Sequence, residues 1–127
     1  MSQCPCNSQK KYDGCCGAVI QGKRQAQTAE ELMRSRYTAF AKQEIDYLET
    51  SHDPETRHQF DEAQAREWSN KSEWSGFEVL KVQDGGPDDQ TGVVEFVAHY
   101  TIEGRDIDHH EISEFRKEDD TWFFRDG

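Results

Sequence analysis

The chain has 127 residues, 33% of them hydrophobic, and its 15 Lys+Arg against 26 Asp+Glu give a formal net charge of −11. That length suffices for one packed domain with a small appendage and not for two independent cores, and no apolar run approaches the ~18 residues of a membrane-spanning helix. Seven Phe, four Tyr and three Trp argue for a folded domain, because aromatic side chains supply large buried area per residue. The charge is polarised: residues 1–27 hold Lys10, Lys11, Lys23 and Arg24 against Asp13 alone, so residues 28–127 carry −14. An acidic body repels phosphate backbones, and nucleic acid is not the expected partner. The N-terminal stretch MSQCPCNSQKKYDGCCG has no apolar segment before a cleavage site, so a cytoplasmic location with reduced thiols is expected.

All four cysteines fall in the first sixteen residues, Cys4 and Cys6 as C-x-C and Cys15 and Cys16 as a pair, with eight residues between. Two short thiolate clusters flanking a loop can converge tetrahedrally on Zn²⁺. Asn7 and Gly14 suit the reversal, since Asn tolerates and Gly freely adopts left-handed backbone. Lys10 and Lys11 can offset the charge of −2 that four thiolates leave on a divalent ion. Spacing alone leaves disulfides, a redox C-x-C and an iron–sulfur cluster open, although bridges within either cluster would close small strained rings.

CPCNSQKKYDGCCG resembles the SEC-C motif, found at the C-terminus of the SecA preprotein translocase and on many otherwise unrelated proteins. The resemblance implies Cys4, Cys6, Cys15 and Cys16 as zinc ligands, with Ser8, Lys10, Lys11, Tyr12 and Gly17 also matching. It departs at Asn7 and Gln9, where the motif usually has Gly. Few apolar residues lie nearby, so metal binding is what would fold such a segment; structural zinc contributes roughly 10–16 kcal/mol in finger peptides. Residues 1–22 are assigned to this module and 23–27 to a connector with no obvious apolar face.

Thr28-Ala29-Glu30-Glu31 is a capping box that opens a helix, on which Met33, Tyr37, Phe40 and Ala41 form an apolar stripe that Tyr47 and Leu48 extend. Arg34 falls inside that arc and requires a carboxylate partner. Asp53 and Pro54 read as the N-cap and first residue of a second short helix, and a third begins near Asp61 and fades by Ser69-Asn70, with Phe60, Ala63 and Trp68 inward. From Glu73 the pattern turns to period two, predicting strands near 74–83, 92–103, 107–118 and 121–126. Val94, Phe96, Ala98, Tyr100 and Ile102 share a buried face. Short connections predict an antiparallel meander in an α+β domain over 28–127, helices covering one sheet face.

TAEELMRSRYTAFAKQEIDYLETSHDPETR, EWSGFEVL, GVVEFVAHY and HEISEFRKEDDTWFFRDG together are similar to the YchJ family of bacterial proteins. The resemblance implies an N-terminal SEC-C module followed by a cone-shaped nuclear-transport-factor-2-like (cystatin-like) domain, in which helices and a curved antiparallel sheet enclose a pocket. If Phe115 faces inward, alternation puts Ser113, Glu111 and His109 on the same side and His110 on the other. Candidate pocket residues are therefore Arg34, Tyr37, Glu111 and Ser113, with Glu111 either paired to Arg34 or raised in pKa as a base. No nucleophile elbow, phosphate loop or H-E-x-x-H is present. Two functions follow. The leading one is a non-enzymatic docking or adaptor protein, its basic zinc module and acidic cone forming a surface for a protein partner, as the similar motif of the SecA translocase makes protein contacts. The alternative is a cone domain that binds or transforms a small molecule in its pocket.

Overall fold

The structure, a computed structural model, describes residues 3–127. After a one-turn 3-10 segment at Tyr12–Gly14 come α1 (Cys16–Ile20), α2 (Ala29–Ala41), α3 (Ile45–Thr50) and α4 (Glu62–Lys71). Four strands follow, β1 (Ser72–Asp84), β2 (Thr91–Ile102), β3 (Arg105–Glu118) and β4 (Thr121–Asp126), antiparallel in the order β1-β2-β3-β4. This is the predicted meander, because each strand is joined to the next by a turn too short for a crossover. No described helix is long and apolar enough to cross a membrane.

The Thr28 cap forms as the sequence predicts, its hydroxyl accepting from Glu31 N (3.1 Å), but the Glu31 carboxylate reaches one residue further back than a capping box requires, accepting from Gln27 N (2.7 Å) and Arg24 (2.7 Å). The start of α2 is fixed to the sheet by the Ala29 amide, which donates to the carbonyl of Gly85 in the β1–β2 turn (2.9 Å). Gly92 allows this closeness, since a Cβ there would stand 2.5 Å from Gly85 Cα. Irregular register at Trp74/Gly76 and Val79/Lys81 bends β1, and such bulges curl a sheet around what it covers. The concave face then meets α2 through Met33, Tyr37, Phe77, Val94, Phe96 and Phe115.

Three expectations are corrected. Asp53 does not cap a helix: Oδ1 accepts from Glu55 N (2.9 Å) in a turn, and the segment yields only a 3-10 turn at Arg57–Gln59. The reason is a stronger competitor for its carboxylate, Arg116, which holds it from β3. On α4, capped by Asp61 accepting from Gln64 N (3.0 Å), Ala63 is exposed; Ala65 and Ser69 are the buried positions, while Trp68 packs on Phe40, Trp74 and Tyr100 and Phe60 on a second core cluster, as expected. In the 23–27 stretch one residue has an apolar contact the sequence did not suggest: Ala26 is buried in the same core cluster as Leu32 and Trp122, while Lys23, Gln25 and Gln27 are exposed.

Candidate metal centre and cone cavity

The four cysteines are buried, and their sulfur atoms all lie within 4.8 Å of one another. Cys4 and Cys6 enter on a small reversal in which Gln3 pairs with Lys11 and the Cys4 amide donates to the Lys10 carbonyl (2.8 Å). Cys15 and Cys16 arrive at the start of α1. Asn7 (φ 63) takes the left-handed conformation expected of it, and so does Gln9 (φ 68), whereas Gly14 does not. The two positions where the motif usually has Gly are thus the two that need positive φ. Gly17 is required for another reason: a Cβ there would stand 2.7 Å from the Tyr12 carbonyl oxygen.

Sulfur separations of 3.7 Å (Cys6–Cys15) and 3.9 Å (Cys15–Cys16) are far longer than a disulfide, ~2.05 Å. They match the S···S edge of about 3.8 Å for a tetrahedron with ~2.3 Å metal–sulfur bonds. Within the cluster, hydrogen bonds from Cys16 and Cys6 hold the Cys4 thiol well below its ordinary range, and bonding to Cys4 pushes Cys16 far up.

Arg34 is found at this centre and not in the cone. Its Nη1 donates to the Cys6 carbonyl (2.6 Å), its Nε pairs with Glu30 (3.0 Å), and it borders a hollow shared with Cys15 and Cys16. The required carboxylate partner exists, one helical turn back on α2, and not on β3. Lys10 and Lys11 are exposed, so the half-buried cation beside the cysteine cluster comes from α2. Thr38 Oγ1 lies 3.6 Å from Cys4 Sγ, and Lys42 sits over the Tyr12 ring at 4.3 Å. The module is thus seated on α2.

On the far side of α2 the sheet and α4 enclose a chamber of about 170 Å³ bounded by Tyr37, Phe40, Trp68, Trp74, His109 and Glu111 among others. It adjoins an open cleft of about 820 Å³ beneath α4, and Arg36, Phe40, Trp68 and Phe124 line both. Inward alternation on β3 is as expected: His109 and Glu111 border the chamber, and Ser113 is fully buried behind them. Ser113 Oγ donates to Glu111 Oε2 (2.7 Å), and His109 Nε2 lies 3.0 Å from Glu111 Oε1. Glu111 is not raised as a base would be. The His109 bond outweighs burial and holds its carboxyl below the usual range, while the same bond raises His109. The Tyr37 hydroxyl is pushed up to about 12 by burial and stays protonated at neutral pH. Tyr37, Glu111 and Ser113 thus gather at one cavity, and Arg34 stands apart.

The cavity's own arginine is Arg36, which sequence reasoning missed. It is 6% exposed, its Nη1 donates to the Leu48 carbonyl (2.9 Å) and Ser51 Oγ (2.6 Å), and its guanidinium lies 4.4 Å from the centroid of Phe124. His52, lining the cleft, was missed as a site residue too. Thr56 gives its hydroxyl proton to the Arg125 carbonyl (2.9 Å), so the 3.0 Å contact puts the histidine proton on Nε2, and the buried Nδ1 has no partner. Burial, with Arg36 and Arg57 nearby, lowers its pKa. The one available sequence signal for Arg36 was the density of apolar residues in α2, from Leu32 to Ala41, which leaves little of the helix to water.

A nuclear-transport-factor-2-like cone carrying an N-terminal four-cysteine cluster defines the class of protein. The family model for the YchJ middle NTF2-like domain matches residues 28–127, and the chain belongs to this family. It is 49% identical to a UPF0225 protein of Geobacter sulfurreducens over 98% of this chain and 77% of that protein, and 38% identical to one of Streptomyces coelicolor over 98% and 93%. The solution structure of a SEC-C motif containing protein from Rhodopseudomonas palustris superposes with a TM-score of 0.89 at 40% identity, covering 98% of this chain and 95% of that one. An LEH-like epoxide hydrolase of M. tuberculosis shares the fold alone, with a TM-score of 0.50 and 16% identity over 81% of each chain.

Proposed function

We propose that this protein is a small-molecule-binding cone domain braced by a structural zinc module. Cys4, Cys6, Cys15 and Cys16 hold the ion as four thiolates, leaving no open coordination position for chemistry. The observation that carries the binding role is the chamber, which sets the half-buried His109–Glu111 pair, backed by the buried Ser113, and the buried Arg36 against aromatic walls. An apolar cavity with a few convergent polar groups is what a ligand site requires.

The tryptophans provide a test. Trp68 and Trp74 line the chamber, whereas the Trp122 indole donates to the Gln27 carbonyl (3.3 Å) on the other side of the core. Small aromatic and aliphatic solutes titrated into the ¹⁵N-labelled protein are expected to move the Trp68 and Trp74 indole signals saturably and leave Trp122 in place. If no solute moves the first two, the reading fails. Native mass spectrometry is expected to find one zinc per chain and four thiols after acid release; a chain with disulfides would end the zinc assignment.

A second reading, docking of an acidic protein segment, draws on the exposed Lys10 and Lys11 of the module loop. It predicts a partner retained by the native chain and released by K10E/K11E, with the cavity residues irrelevant to capture.

A further inference from the structure

We propose that the ligand of the cone is a small aromatic monocarboxylic acid, its carboxylate held by Arg36 at the junction of cleft and chamber and its ring inside the chamber. This rests on the small-molecule reading and narrows it to a chemical class.

The charge of Arg36 is the first argument. No carboxylate lies within salt-bridge distance of it among the described residues, although it is 6% exposed and the protein is strongly acidic. Burying an arginine without a counter-ion is costly, and such groups are ordinarily paired. Among the half-buried arginines, Arg34 takes Glu30 and Arg116 takes Asp53, while Arg57 bonds the Thr50 and His52 carbonyls; Arg36 is more buried than any of these. Glu111 is near enough for its charge to act on Arg36, but its oxygens bond His109 and Ser113, so no anion touches the guanidinium.

Geometry is the second. Both hydrogen bonds of Arg36 leave from Nη1, and Phe124 covers the guanidinium face. What remains is the Nε/Nη2 edge, the fork that matches a carboxylate in two parallel bonds. The same edge of Arg116 grips Asp53 at 2.7 Å for each bond, so this chain already displays the interaction. Neither of these two Arg36 nitrogens is among the buried polar atoms sealed off without a partner, which leaves them open to the cavity that Arg36 lines.

Size and polarity set the rest. A cavity of about 150 Å³ accommodates a benzene ring, and the chamber is about 170 Å³ with Phe40, Trp68 and Trp74 among its walls. With one cation unpaired and Glu111 close by, a singly charged group is balanced, whereas the second charge of a phosphate monoester would be left buried without a partner.

Benzoate and its neutral analogue benzyl alcohol test this on the full zinc-loaded chain, read by the indole signals of Trp68 and Trp74 with Trp122 as control. Benzoate is expected to bind saturably and about tenfold or more tighter than benzyl alcohol. Arg36→Met is expected to bring benzoate down to the level of benzyl alcohol, and Arg36→Lys, which keeps the charge and loses the fork, to fall between. Benzyl alcohol binding as tightly as benzoate would overturn the carboxylate class and leave the cone reading standing, while silence from both would overturn the two together. Unchanged benzoate affinity in a folded Arg36→Met would equally overturn the assignment. The comparison of the two solutes on the native chain holds even if the methionine variant does not fold.

Discussion

Arg116 on β3 grips the fully buried carboxylate of Asp53 with two bonds of 2.7 Å, Nε to Oδ2 and Nη2 to Oδ1, across 63 residues of sequence. Arg125 on β4 adds a third at 3.0 Å, and the Asp53 amide donates to the Phe124 carbonyl (2.7 Å). The segment after α3 is thereby stitched to the edge of the sheet. His52, lining the cleft, and Ser51, bound to Arg36, are the residues this clamp holds in place.

Asp53→Asn is expected to lower the thermal midpoint at pH 7, because the amide leaves two guanidinium groups without their shared anion. The pH dependence has a definite sign. The Arg116 bonds hold the Asp53 carboxyl well below its ordinary 3.8, so its stabilisation is complete above that value and is lost as pH falls below it. Thermal melts of the two proteins should therefore converge as the pH is taken below about 3.8; a constant gap down to pH 2 would count against the clamp.

If the four cysteines hold zinc as proposed, its removal should destabilise the whole domain and not the N-terminal segment alone. The module contributes Val19 to the main core and is tied to α2 through Thr38, Arg34 and Lys42. Chelation, or Cys15→Ser, is expected to lower the calorimetric midpoint on the order of 10 °C or more in a single transition. An unchanged main transition preceded by a small separate one would mean that the module folds independently.

Gln9→Gly should strengthen the module by about 0.5–1 kcal/mol, the left-handed penalty removed less the added unfolded-state entropy. Asn7→Gly should gain less, because Asn tolerates φ > 0 better. Gly17→Ala should cost about 1–3 kcal/mol, as overpacking does, since its Cβ would meet the Tyr12 carbonyl and ring. Zinc-release midpoints under a competing chelator would rank the three variants.

His109 is expected to titrate above its ordinary 6.5, owing to its bond to Glu111. Its contribution to stability is then complete below pH 6.5 and disappears as the pH rises through the raised value. In Glu111→Gln the charge is gone and burial remains, so the His109 pKa should drop below 6.5. Imidazole ¹³C or ¹⁵N chemical shifts followed against pH measure both values.

The four-cysteine cluster and the meander were legible because they depend on local spacing. Four thiols in two clusters can reach one point whatever the rest of the chain does, and period-two strands joined by short turns can pair only with their neighbours. The β3 row of His109, Glu111 and Ser113 was legible for the same reason, once Phe115 fixed the parity. Asp53 was misread because its flanking residues, followed by Pro54, satisfy the local rule for a helix start, and nothing nearby announces an arginine 63 positions on.

The two arginines of α2 mark where sequence alone stops. That this is a four-cysteine module ahead of a helix-covered antiparallel sheet was set by the residues themselves, since side-chain periodicity and cysteine spacing act over a few positions of chain. Which of Arg34 and Arg36 enters the cone was decided by the tertiary structure. Helical phase orders residues around α2 but does not say which arc meets the sheet, which meets α3 and which meets the cysteine module. With α2 enclosed on all three sides, Arg34 was turned to the thiols and Arg36 to the cavity, and only the packing of distant elements distinguishes two arginines two residues apart.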